Sequence, residues 1–141
     1  SDGSSRMMAI GVDSGAGVSV IPPEMCTDYP TIETDASRKG AQFLPASKGA
    51  TITDLGMREL DCSISGQDRR LRMKVCSVRK PLLSVAEMVD TGHEIHFLQS
   101  GSYIIHIKGG NRIPIRRLGG GFVIDVEVKP FSGNRQGHAR R

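Results

Sequence analysis

Apolar and polar positions alternate over short stretches of this chain, and Gly, Pro, Asp or Ser breaks most stretches before they reach helix length. That pattern predicts many strands and few helices. Residues 7–12 form an apolar strand that runs into the turn-forming Asp13-Ser14-Gly15. Residues 18–21 form a second short strand, stopped by Pro22-Pro23, which are placed to open a helical turn toward Cys26. Residues 28–39 are polar and read as a loop. Residues 41–45 and 50–53 are two arms around the small-residue tip Ala46-Ser47-Lys48-Gly49, a hairpin pattern. Residues 60–65 and 70–78 are further strands joined through Gly66-Gln67-Asp68. Strict alternation in Arg70-Leu71-Arg72-Met73-Lys74-Val75 gives the second of these one buried and one wet face.

A single helix is expected over 84–92. Ser84 is its N-cap, Glu87 completes a capping box three residues on, and Gly92 ends it in the left-handed conformation. Residues 94–97 and 103–107 then pair around Gln99-Ser100-Gly101, and 112–116 pair with 122–128 across Gly119-Gly120-Gly121. The expected fold is all-β with one short helix in the C-terminal half and an extra C-terminal β-hairpin segment.

Composition narrows the picture. A chain of 141 residues with 17 Gly and 7 Pro suits one turn-rich domain with a modest core. Ser1–Ser5 read as a scar of cutting, so residues 1–6 are expected to lie outside the fold. Residues 7–128 are the domain, with a core over 7–97 and a β extension over 98–128. Much of the net charge of +4 sits in the tail, where Arg135, Arg140 and Arg141 have no acid beside them. Residues 129–141 are therefore expected to be a disordered basic tail. Nucleic acid is not an expected partner, because no aromatic residues interleave with those charges to stack on bases. No apolar run approaches the ~20 residues needed to cross a bilayer, so no membrane is expected. Cys26, Cys62 and Cys76 are odd in number and form no CxxC pair. With no secretory signal, they fit thiols of a reducing compartment, so an intracellular, cytoplasmic location is expected. His93 and His96 lie three apart on an alternating stretch, which puts them on opposite faces of a strand and gives no metal site. No metal or other cofactor is expected.

Candidate chemistry centres on Asp13, a carboxylate at the end of an apolar strand, followed by a turn of small residues. Val12-Asp13-Ser14-Gly15-Ala16 resembles the Asp-Thr/Ser-Gly-Ala signature of the retroviral-type aspartic proteases, the retropepsins. The stretch from Pro81 to Phe97 is similar to that family's second block: an apolar pair, a turn, a short helix, a glycine and a closing strand. Its Leu82-Leu83-Ser84-Val85 form and the Phe97 that closes the strand are similar to proteases of long-terminal-repeat retrotransposons, particularly the copia-like kind. The resemblance covers about residues 7–97 and implies a retropepsin-like acid-protease barrel. It also implies a homodimer with one Asp13 from each copy, acting on an extended peptide within a polyprotein.

The resemblance implies a role for each matching residue. Asp13, Ser14 and Gly15 would be catalytic: Asp13 by sharing one proton with its symmetry mate, Gly15 by letting backbone N–H groups reach the carboxylates, and Ser14 by bonding across the dimer axis. Ala16 and Gly17 would lie along the substrate main chain. Ala46, Ser47, Lys48 and Gly49 would be the tip of a flap over the peptide, and Leu82 and Leu83 would complete the substrate site. The chemistry itself is general. Two carboxyls held close cannot both ionise, so one acts as base toward water while the other polarises the scissile carbonyl.

Some positions depart from the family pattern. Viral relatives carry an acid after Asp-Thr-Gly-Ala and an Arg at the opening of the helix, whereas here those positions are Gly17 and Val85. Both members of that ion pair are missing together, which leaves neither charge stranded. A second Asp-Thr-Gly, Asp90-Thr91-Gly92, would suggest a two-lobed single-chain enzyme. However, it follows a helical stretch rather than an apolar strand, and the 49 residues after it are too few for a second lobe. A retropepsin-like dimerisation or binding domain with little proteolysis is the alternative function. The C-terminal hairpins are expected either at the subunit interface or on the outer face.

Overall fold

The computed structural model describes residues 4–43 and 51–133. Four long strands carry the architecture: β1 (Arg6–Asp13), β5 (Gly56–Ile64), β6 (Gln67–Val75) and β11 (Gly121–Val128). Between them lie the short strands β2 (Val20–Ile21), β3 (Gln42–Phe43), β4 (Ile52–Thr53) and β7 (Leu82–Ser84). A meander follows, with β8 (His93–His96), β9 (Ser102–His106) and β10 (Ile113–Leu118). Helices α1 (Asp35–Arg38) and α2 (Val85–Asp90) are each little more than a turn. The chain is all-β, as its alternation predicts.

Six strands close into a ring. β1 pairs in parallel with β7, β7 antiparallel with β2, β2 in parallel with β6, and β6 antiparallel with β5. β11 then pairs with both β5 and β1, joining the two ends. Full closure leaves no free edge within the ring. Alternation does the sorting. Along β5, Gly56, Arg58, Leu60, Cys62 and Ile64 are buried, while the residues between them are half-exposed. Inside the ring, Ile10, Leu60, Met73, Val75, Ile124, Val126 and Val128 meet with at most 1% exposure each. The buried Arg58 donates to the carbonyls of Pro23 and Met25 and to Thr31 Oγ1, tying residues 23–31 to the barrel.

The structure corrects several expectations. Residues 98–128 are not simply appended to a finished core. β11 supplies the strand between β1 and β5, with six consecutive residue pairs from Arg6↔Val128 to Gly11↔Val123. Meanwhile β8, β9 and β10 extend from β11 as an outer sheet. Among the described residues there are two helices rather than one. The stretch read as a loop contains α1, with a reciprocal capping box between Thr34 and Ser37. The turn between β5 and β6 is Ser65-Gly66, at φ 50 and 77, and the strands start earlier than expected. Two residues at positive φ make the tight turn whose twist matches its strands. Arg6 belongs to β1 and pairs with Asp28. Residues 129–133 are held in place: Lys129 N–H donates to Asp61 O, Phe131 N–H donates to Asp28, and the Phe131 ring packs edge-on to Tyr29. The rest of the expected tail, 134–141, lies outside the described residues.

Candidate functional site

Asp13 is the last residue of β1, directly opposite Ser84 in the parallel pairing with β7. β1 and β2 both flank β7, so they stand two strand positions apart, roughly 10 Å. The six residues 14–19 must span that gap, and they do so by crossing the end of β7 where α2 begins. The Gly15 N–H donates to Asp13 Oδ1 at 2.8 Å, and the Ala16 N–H donates to Asp13 O at 3.4 Å. Ser14, Gly15 and Gly17 are exposed, whereas Ala16 is 4% exposed and faces inward.

The turn is braced from below. Ser84 is fully buried and its hydroxyl donates to Ala16 O at 2.8 Å. The same hydroxyl accepts the Glu87 N–H at 3.1 Å, so Ser84 is the N-cap of α2, as its position predicts. The expected capping box does not close on itself. The Ser84 N–H donates to Ser19 Oγ at 2.9 Å, and the Ser19 N–H donates to Glu87 Oε1 at 2.8 Å. Ser19 thus stands between the two halves of the box. Its carbonyl accepts the Lys74 N–H at 2.8 Å. Ser19, inside the apolar stretch 18–21, is not among the site residues expected from the sequence. The signal was there: a lone hydroxyl between Val18 and Val20, 6% exposed, has to find partners.

The other expected site residues divide into those near this turn and those outside the described residues. Leu82 lies beside Gly11 in the β1–β7 register, and a Cβ on Gly11 would meet Leu82 Cδ2 at 2.7 Å. Leu83 is 6% exposed and belongs to the core. Ala46, Ser47, Lys48 and Gly49 lie outside the described residues. The arms below them do pair, Gln42 with Thr53 and Phe43 with Ile52. Their base is tied to the Asp13 turn through Lys74. Its Nζ pairs with Asp54 and sits 5.6 Å from the Phe43 ring centroid, while its backbone holds Ser19.

Groups elsewhere have local roles. Asp90 ends α2, Thr91 is its C-cap, and Gly92 follows at φ 91, so the second Asp-Thr-Gly is a helix terminus. The His93 and His106 rings stand edge to face at 4.8 Å, and His96 stacks on Tyr103. Among the described residues, no group of three His, Cys, Asp or Glu is placed to hold a metal ion. Nor does a disulfide link Cys26, Cys62 and Cys76. Burial, then the charge of Asp54, pushes the Cys76 thiol up to about 11. A cavity of about 460 Å³ lies between β6, α2 and the outer sheet, lined by Leu71, Met88 and Ile104 among others. It touches Ser19 and Glu87 but not Asp13. No helix among the described residues is long and apolar enough to cross a membrane.

Comparison with protein-family models, curated proteins and solved structures gives no match for this chain.

Proposed function

We propose that this protein is an aspartic endopeptidase with a retropepsin-like barrel, active as a homodimer that brings together one Asp13 from each chain. The observation that carries the reading is the Asp13 turn. It presents a carboxylate at the end of a core strand, with a backbone N–H on one oxygen and a helix N-terminus bracing the loop from beneath. Acid–base hydrolysis of an amide without a metal needs one group to take a proton from water and another to polarise the carbonyl. One chain supplies one such turn. A two-fold axis beside Asp13 supplies the second, and two adjacent carboxyls then hold one proton between them.

The substrate is an extended peptide bound by main-chain bonds as an added strand. The flap that the resemblance implies would close over it, and the arms β3 and β4 that lead into it are linked to the turn through Lys74. Gly17 is open to contact the peptide backbone, whereas the Ala16 carbonyl is already committed to Ser84. The natural substrate would be a retrotransposon-type polyprotein containing the protease itself, processed inside the cell.

The test is cleavage of a peptide library across roughly pH 4 to 7, with and without pepstatin. The wild type should cut extended peptides, pepstatin should block it, and Asp13→Asn should remove activity while leaving the melting temperature in place. A wild type that dimerises and cuts nothing would contradict the proteolytic reading and leave a dimerisation or binding domain.

A further inference from the structure

We propose that Ser84, Ser19 and Glu87 are positioning residues that hold the Asp13 turn in its working shape, an inference that rests on the proteolytic reading above. The four hydrogen bonds form a continuous relay. The Ser84 hydroxyl has a single proton, and its donation to Ala16 O fixes the hydroxyl so that its lone pairs face the Glu87 N–H. The Ser84 N–H reaches Ser19 Oγ, and the Ser19 N–H returns to the Glu87 carboxylate. A helix cap alone would not need this arrangement. In an ordinary capping box the Glu87 carboxylate would fold back onto the Ser84 N–H three residues away. Here Ser19 occupies both ends of that contact, across sequence separations of 65 and 68 residues. A local cap has been opened and the end of the Asp13 turn inserted into it.

The chemistry of the relay suits a positioning role. The bonds of Ser84 to Ala16 and to Ser19 are buried, where an unmade hydrogen bond is costly, so the turn is held in one geometry rather than several. The bond to Glu87 is charge-assisted, the stronger kind. It anchors Ser19, whose carbonyl also takes the Lys74 N–H, so the relay ties the turn to β6. In this chain the bracing is done by hydroxyls and one carboxylate, at the place where Gly17 and Val85 offer no ion pair.

Four variants of the full chain test the proposal: Ser84→Ala, Glu87→Ala, Glu87→Gln and Val89→Gly. Each is assayed for kcat, KM and melting temperature, with turnover measured where all are folded. Glu87→Gln keeps an oxygen that can accept the Ser19 N–H. Val89 is an exposed α2 residue outside the relay, so its change to Gly weakens the helix alone. Ser84→Ala and Glu87→Ala should lower kcat by roughly tenfold or more with a smaller change in KM. Glu87→Gln should restore most of it, and Val89→Gly should lower the melting temperature with kcat unchanged. If Ser84→Ala and Glu87→Ala lower only the melting temperature, as Val89→Gly does, the positioning role is wrong while the proteolytic reading stands. If wild-type protein cuts nothing, or Asp13→Asn cuts as well as wild type, both fall together.

Discussion

At Gly15 a Cβ would lie 3.3 Å from Asp13 Oδ1, tighter than an ordinary contact, so any side chain there would crowd the carboxylate that the Gly15 N–H holds. This is the physical content of the Asp-Ser-Gly pattern, and that much was legible in the sequence. The partners of Ser84 were legible only by half: its capping role followed from local spacing, but its bonds to Ala16 and Ser19 depend on long-range topology. A second residue-scale contact is open to a pH test. Burial alone would raise the Asp28 carboxyl, but the Phe131 N–H and the Arg6 guanidinium outweigh it and hold the group below its ordinary value. A carboxyl lowered by folding adds stability above its unfolded pKa of about 3.9, and that stability disappears as pH falls through the lower folded value. Wild-type protein should therefore lose stability steeply below about pH 4. Asp28→Asn should be less stable at neutral pH and should show a shallower acid slope in urea titrations at several pH values. Equal slopes would mean that the Arg6–Asp28–Phe131 contact contributes nothing.

Among the elements, β11 is the one whose role differs most from its reading in the sequence. Residues 122–128 read as a strand paired with 112–116 across Gly119-Gly120-Gly121, and both the strand and that pairing are there. What the pattern could not supply was its place: strand alternation reports which side chains are buried, not which neighbours the backbone chooses. The same limit explains α1, whose Thr34–Ser37 box lies in a polar stretch with no apolar period to mark it. It explains the β5–β6 turn as well, where Ser65 at φ 50 fills a position usually given to Asn, Asp or Gly. Because β11 contributes Ile124, Val126 and Val128 to the interior and pairs with β1 and β5 on either side, its removal would open the barrel. A chain ending at Phe97 should show no cooperative thermal transition and should expose its core to a hydrophobic dye. A sharp melt near that of the full chain would mean that residues 7–97 fold without β11.

At the scale of the whole molecule, the ring of β1, β7, β2, β6, β5 and β11 is a rigid frame that places one Asp13 turn at the end of β1, with the root of a hairpin tied to it through Lys74. The frame and the turn account for a single carboxylate, while the proposed chemistry requires two, so the proposal stands or falls on a pair of chains. The most direct measurement mixes wild-type and Asp13→Asn chains at fixed total concentration, after exchange of subunits, and follows peptide cleavage. If each working site takes Asp13 from both chains, mixed dimers are inactive and the rate falls as the square of the wild-type fraction. An equal mixture then cuts at about a quarter of the wild-type rate. A rate of about half, falling in simple proportion to the wild-type fraction, would mean that each chain carries its own complete site, and would contradict the account.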